Sequence, residues 1–404
     1  MDRHNLAAVV LMASSAAAAA QSGWVTVGEA AYLQLKQQGH RLTIRGNRQV
    51  QQSERDAAEN LYLLEVPARD IDKIASTLHR RLRHCGGFML HASEADARKA
   101  LDAERIRVAP QATRPRYVLA NQARVTPLLA QMDEQKLAHT ITQLSSFANR
   151  YYSSKTGADA SDWLNTHWGA LSAAHSGIVV TQFSHAGYAQ RSVIATIAGS
   201  DLAAQVLVLG AHLDSINIRK RSDAAPGADD DASGVAGLTE VLRVLAAGDY
   251  RPRRTIKLIA YAAEEVGLRG SQDLARDFRK NAVDVAGVLQ LDMINYRGSA
   301  RDIYLISDYT DKDQNAFLEK LVAAYLPTLT VGRDKCGYAC SDHAAWNALG
   351  YTASMPFEAQ IGEDNPHIHT KLDTYANSGN QAAHGLKFAQ LAAAWLVELG
   401  TDSP

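Results

Sequence analysis

Asp229, Asp230 and Asp231 stand in a row in the stretch PGADDDASG, where every other residue is small or a turn former. Adjacent carboxylates repel one another, so the triplet needs a physical reason. A solvated turn would supply one, because Pro, Gly and Asp all favour turns. A helix start would supply another: Val235, Leu238, Val241, Leu242 and Leu245 follow at helical spacing, and Asp suits a first turn. A third is a multivalent cation that draws the carboxylates together. Other candidates for that chemistry are spread along the chain. His212 and Asp214 follow the apolar run from Val206 to Leu209. Glu264 and Glu265 follow Thr255 to Ala260, and Asp292 follows Val285 to Leu291. A late loop, NPHIHTKLDT, carries His367 and His369. Imidazole and carboxylate are zinc ligands, and a catalytic zinc keeps one position open for water. Two zincs about 3.5–4 Å apart form a hydrolytic clamp. Such a pair carries four positive charges and needs a carboxylate shared between the ions.

The elements that must bring these groups together are legible in outline. QRSVIATIAG, QVLVLGAHLDS, RTIKLIAYAAEE, VAGVLQLDM and TASMPFE have strand length and apolar character. GVAGLTEVLRVLAAG, SQDLARDFRKN, DQNAFLEKLVAAYLP and AAHGLKFAQLAAAWLVELG read as helices, the first ended by Gly248. Alternating strands and helices imply an α/β fold with helices on both faces of a sheet. In open α/β sheets the functional groups collect at the carboxyl ends of the strands. The acids and imidazoles above lie at those ends, so they are expected to meet.

The rest of the chain bounds the problem. Its 404 residues carry a formal net charge of −1, which gives no reason to expect nucleic acid or an anionic membrane as partner. No run is long and apolar enough to span a bilayer. Residues 1–20, MDRHNLAAVVLMASSAAAAA, have the charged start, apolar stretch and small-residue end of a secretory signal, with cleavage expected near Ala20. Residues 21–115 read as a small α+β unit of a few strands and one or two helices. It closes in an Arg/Pro-rich stretch, Arg105 to Arg116, suited to proteolytic nicking. Residues 116–404 are long enough for one large core. Cys336 and Cys340 lie in CGYAC, which admits a small disulfide loop in an oxidising compartment, and Cys85 has no obvious mate.

Taken in order, GAHLDS, PGADDDASG, AYAAEEVGLRGS, QLDM, CGYACSDH and HIHT resemble the secreted bacterial leucyl aminopeptidases of the M28 zinc peptidase family. The likeness spans essentially all of residues 116–404. It implies the zinc exopeptidase fold, with a mixed, mostly parallel sheet flanked by helices; residues 21–115, lying between the expected signal and the Arg/Pro-rich stretch ahead of this body, are expected to be a propeptide. The likeness also implies two zinc ions. His212 and Asp292 would hold one, Glu265 and His369 the other, and Asp230 would bridge them. Asp214 would orient His212, as carboxylates do for metal-bound imidazoles. Glu264 would be the general base and acid, and Tyr338 would hydrogen-bond the tetrahedral intermediate. The resemblance further implies a cis peptide bond at Asp230–Asp231 and a Cys336–Cys340 disulfide beside the substrate pocket. That pocket would comprise Met293, Ile306, Met355, Phe357 and Ile368. Close relatives carry aromatics where this chain has Ile361 and Asp364, which bears on the preferred N-terminal side chain. Ser341, Asp342 and His343 are adjacent, cannot form a serine triad, and are expected to cap a helix.

The expected activity is removal of one apolar N-terminal residue, Leu first, from peptides by a secreted monomer that a second protease activates. Two other readings share the residues. One keeps the fold but makes it a carboxypeptidase, a deacylase or a single-zinc glutaminyl cyclase, and the full five-ligand set argues against the last. The other is a binding module on an inactive peptidase fold, which the presence of Glu264 and every ligand argues against.

Overall fold

The apolar run from Val206 to Ala211 forms the middle of the largest sheet in the computed structural model, which describes residues 22–50, 59–82, 87–102 and 114–401. Leu207, Leu209 and Ala211 enter the larger core on one side of that sheet, and Val206 and Val208 enter a second core on the other. Burial on both faces is why the strand is apolar without alternation.

An N-terminal unit comes first. It runs β1 (Ser22–Gly28), α1 (Glu29–Gln37), β2 (Thr43–Val50), β3 (Glu59–Pro67), α2 (Ile71–Leu82), β4 (Met89–His91) and α3 (Glu94–Asp102). Its strands form one antiparallel sheet in the order β2-β3-β1-β4. Three helices exceed the expected one or two. The extra one, α3, buries Ala97 and Leu101, one helical turn apart. The unit is not free of the rest of the chain. Ile74, Ala75 and Leu78 of α2 share a core with Tyr151, Tyr152, Ile216, Ala263 and Val266. The expected signal, Cys85 and most of the Arg/Pro-rich stretch lie outside the described residues.

The larger body continues with α4 (Gln122–Leu129), α5 (Glu134–Ser145), α6 (Lys155–Ser172), β5 (Ile178–Phe183), β6 (Ser192–Ile197), β7 (Leu202–His212) and α7 (Ala232–Ala247). Next come β8 (Arg254–Tyr261), α8 (Arg269–Lys280), β9 (Asp284–Gln290), β10 (Ile303–Ile306), α9 (Lys312–Tyr325), β11 (Val331–Asp334) and α10 (His343–Asn347). The last are β12 (Ala353–Ser354), β13 (Pro356–Phe357) and α11 (Ala383–Thr401). The main sheet has the order β12-β9-β7-β8-β6-β5. Its first four strands pair in parallel, and β6 pairs antiparallel with both β8 and β5. The mixed, mostly parallel sheet with helices on both faces is therefore present. TASMPFE is a correction: it is two strands, not one. Ala353–Ser354 extends the main sheet, while Pro356–Phe357 pairs with β10 in a separate three-stranded sheet. Pro356 has no N–H to continue a ladder, so the chain changes sheets at Met355.

Strands β9, β7 and β8 are neighbours and parallel, so their carboxyl ends sit side by side. After β8 the chain folds back on itself, and Gly270 N donates to Ala262 O at 3.0 Å. That return presents Glu264 and Glu265. A Cβ at Gly270 would lie 2.1 Å from Ala262 O, a clash with backbone that no rotamer relieves. Gly270→Ala is expected to cost about 1–3 kcal/mol, measured as a lower denaturant midpoint. An unchanged midpoint would contradict the tightness of this turn.

Candidate metal centre

His212 is the last residue of β7, and its Nε2 lies 3.0 Å from Asp230 Oδ1 and 3.5 Å from Asp292 Oδ1. His369 Nε2 lies 2.9 Å from Asp230 Oδ2 and 3.2 Å from Glu265 Oε2. The two oxygens of one carboxylate, Asp230, thus face two different imidazoles. Among the described residues two groups of potential ligands result: His212, Asp230 and Asp292, and His79, Glu265 and His369. In each, the ligand atoms lie within 4.8 Å of one another, and every member is buried. His367, the other imidazole of its loop, belongs to neither group. Left-handed backbone recurs here at residues other than glycine: Ala263 (φ 58°) before Glu264, Met293 (φ 54°) after Asp292, and His369 itself (φ 57°). Such conformations concentrate at sites the surrounding fold over-determines.

The aspartate triplet divides its labour. Only Asp230 turns to the imidazoles. Asp231 caps α7: its Oδ1 accepts from Gly234 N at 2.9 Å and Met293 N at 3.2 Å, and its Oδ2 accepts from His212 N at 2.9 Å. It therefore ties the triplet to the ends of β7 and β9 at once. Asp229 Oδ1 accepts from Asn295 N, and its Oδ2 accepts from Asn365 Nδ2, both at 3.1 Å. The peptide bond between Asp230 and Asp231 is cis, as the resemblance implies. Asp373 accepts from the backbone N–H groups of Asp229 and Asp230, both at 3.1 Å. Arg150, fully buried, donates to Leu213 O at 2.8 Å and Gly227 O at 2.9 Å and supplies a nearby positive charge. Asp229, Asp231, Asp373 and Arg150 had no assigned role in the sequence. Asp229 and Asp231 stood out only as acids among small residues, and Asp373 and Arg150 carried no local signal.

Asp214 faces the Nδ1 side of His212 at 3.5 Å. It also accepts from Glu264 N at 2.9 Å and Glu265 N at 3.2 Å, so one side chain sets both glutamates. Ser341 Oγ donates to Asp292 Oδ2 at 2.5 Å. The expected helix start at Asp342 and His343 is present as α10, but no side chain caps it. Asp342 instead accepts from Gln290 Nε2 at 3.3 Å. Ser341→Ala should lower kcat/KM by about tenfold through loosened Asp292, in the range seen for partners of metal ligands. An unchanged kcat/KM would show that this hydrogen bond is dispensable.

The electrostatics ask for cations. His212, Asp214, Glu264, Glu265 and Asp292 are all fully buried. Among the described residues neither oxygen of Glu264, nor Oε1 of Glu265, has a hydrogen-bond partner. Burial, and then the Asp230 charge, push Glu265 up to about 7, and burial drives Glu264 well above the carboxylate range. Burial opposes charge on His369, yet Glu265 and Asp230 outweigh it and raise that imidazole to about 10. Buried carboxylates without donors are costly unless a cation compensates them. The His and carboxylate donors fit zinc.

Beside this centre, Met293, Ile306, Met355, Phe357 and Ile368 form one apolar cluster with Tyr338 and Cys340. The Cys336–Cys340 disulfide is present. Ile361 and Asp364 line the same pocket as Asp292 and Met293. Burial raises the Asp364 carboxyl, and Gly362 N donates to it at 2.7 Å.

These features define a metal-dependent hydrolase whose apolar pocket abuts its ligands. Comparison with known proteins narrows the class. Residues 192–394 match peptidase family M28. Leucine aminopeptidase 1 of Grosmannia clavigera is 33% identical over 365 residues, covering 87% of this chain and 88% of that protein. The crystal structure of the Legionella pneumophila LapA aminopeptidase superposes with a TM-score of 0.80 at 26% identity, covering 95% of this chain and 100% of that one. LapB of the same organism gives 0.78 at 30% identity, with the same coverage. The chain belongs to peptidase family M28, and it is a metallo-aminopeptidase.

Proposed function

We propose that this chain is a secreted two-zinc aminopeptidase that cleaves the first peptide bond of peptides bearing Leu or another apolar N-terminal residue. Asp230 carries the reading: its Oδ1 faces His212 at 3.0 Å and its Oδ2 faces His369 at 2.9 Å. His212 and Asp292 would hold one ion, Glu265 and His369 the other, and Asp230 would serve both. The ions, when bound, polarise the scissile carbonyl and lower the pKa of water. The chain supplies the rest. Asp214 holds His212 and the backbone of both glutamates. Glu264 takes a proton from water and returns it to the leaving amine. The Tyr338 hydroxyl donates to the developing oxyanion. The apolar cluster from Met293 to Ile368 receives the N-terminal side chain.

The wider expectations belong to the same proposal. Residues 1–20 direct export, residues 21–115 are a propeptide removed by a second protease, and the mature enzyme acts as a monomer on peptides. Among the described residues no helix is long and apolar enough to cross a membrane. The test is hydrolysis of aminoacyl-p-nitroanilides before and after chelation, together with a peptide assay for release from either end. Leu-p-nitroanilide turnover that chelator abolishes and zinc restores is expected. Release from the carboxyl end, or turnover indifferent to chelator, would overturn the reading.

A further inference from the structure

We infer that His79 of the N-terminal unit is a ligand at the Glu265–His369 metal position, so that this unit holds the enzyme latent by closing the metal site itself. The inference rests on the two-zinc reading above.

The residue lies on α2, outside the region that carries the recognised motifs. Its ring stacks on that of His369, with centroids 4.3 Å apart and planes at 16°. Its Nε2 lies 3.6 Å from Glu265 Oε2. A ligand atom of His79 lies within 4.8 Å of those of both Glu265 and His369. The side chain is wholly buried. Packing alone gives a poor account of this residue. The face of α2 turned inward carries Ile71, Ile74, Ala75 and Leu78. Another aliphatic side chain would fill the position without the cost of desolvating an imidazole. An imidazole has a use here that an aliphatic group lacks, because its nitrogen can ligate zinc.

The placement is held from several sides. Arg221 pairs with Asp72 on the same helix, and Tyr152 Oη donates to that carboxylate at 3.3 Å. From β4, Leu90 N donates to Gly267 O at 3.0 Å, in the turn that presents Glu264 and Glu265. The end of β1 abuts the disulfide loop so closely that a Cβ on Gly28 would lie 2.9 Å from Gly337 O. The N-terminal unit thus contacts the glutamate turn and the Tyr338 loop while its His79 packs against Glu265 and His369.

The consequence follows from coordination chemistry. Asp230, Glu265 and His369 are three protein groups around one position, which leaves a fourth for substrate or water. His79 fills that fourth place and makes the set resemble a closed, structural zinc site. Glu264, Glu265 and Asp292 are also fully buried while the unit is in place. No peptide reaches them until it leaves. Removing the unit would therefore open the route and vacate a ligand position together.

The experiment uses the full chain from residue 21. X-ray absorption of the zinc-loaded wild type should count three imidazoles over two ions (His79, His212 and His369) rather than two over two. Cobalt(II) titration of the metal-free protein should then show His79→Gln binding one of its two ions at least about tenfold more weakly, with an altered visible spectrum. A count of two imidazoles over two ions overturns the inference, as does an unchanged affinity and spectrum in His79→Gln. The imidazole count needs no variant, so it decides the matter even if His79→Gln misfolds. A wild-type chain that takes up fewer than two ions refutes the two-zinc reading, and this inference with it.

Discussion

Glu264→Ala in the mature enzyme should retain two ions per chain and lose about 10²–10⁴-fold in kcat, the usual worth of a general base. The two halves of that result have separate causes. Glu264 belongs to neither group of potential ligands, so its carboxylate is not needed to hold a metal. Its position is set through its backbone, whose N–H donates to Asp214 at 2.9 Å. Among the described residues neither carboxylate oxygen has a hydrogen-bond partner, which leaves both available to a proton. Burial, the largest cause, and the charges of Glu265, Asp292 and Asp342 raise its affinity for that proton. A base so placed can accept a proton and give it back within one cycle. Glu264→Gln, which keeps the shape and removes the basicity, should match the alanine variant. Kinetics on Leu-p-nitroanilide and metal analysis of the same preparation check both halves. Turnover near the wild-type value in either variant would remove Glu264 from this role.

Much of this candidate centre was legible because its acids and imidazoles follow the ends of strands. His212, Glu264 and Asp292 lie at or just past the carboxyl ends of three parallel neighbours. Apolar runs of strand length announce such ends, and the α/β architecture brings them together. The aspartate triplet was legible only in part. Its turn and helix start were visible, and so was the need for a bridging carboxylate. That Asp229 and Asp231 serve backbone N–H groups instead depends on partners 66 and 62 residues away, Asn295 and Met293. Local composition cannot report such pairings. Pro356 was a visible breaker, yet its effect depends on a second sheet accepting the strand beyond it.

His79 marks the boundary of that legibility. It lies on an amphipathic helix beside Arg80 and Arg81, where a lone imidazole reads as one more polar residue. Nothing in its spacing links it to Glu265 or His369, which lie far along the chain. Only the docking of a separate unit brings the three together. Ligands that share a motif can be read from order and spacing, whereas a ligand supplied across an interface requires the interface.

Asp230→Asn should abolish activity and reduce tightly bound zinc below two ions per chain. Asp230 is the one carboxylate whose two oxygens face the two histidines separately, at 3.0 Å and 2.9 Å. Burial opposes its ionisation, but His369 and His212 outweigh that and hold the carboxyl well below its usual range. It therefore offers a permanent negative charge to both positions. An asparagine keeps the volume but removes that charge and one of the two oxygens. The loop should survive the change. Its backbone N–H still donates to Asp373, and the flanking Asp229 and Asp231 keep their own partners. Loss of metal can thus be separated from loss of fold. Zinc at about 100 times its dissociation constant should stabilise the wild type by about 2.7 kcal/mol per site. The variant should gain much less from the same addition, although its metal-free form unfolds cooperatively. Two zincs that survive dialysis in Asp230→Asn, with a full stability gain on adding metal, would reject the shared role of Asp230. Each ion would then have to be held by its own ligands alone.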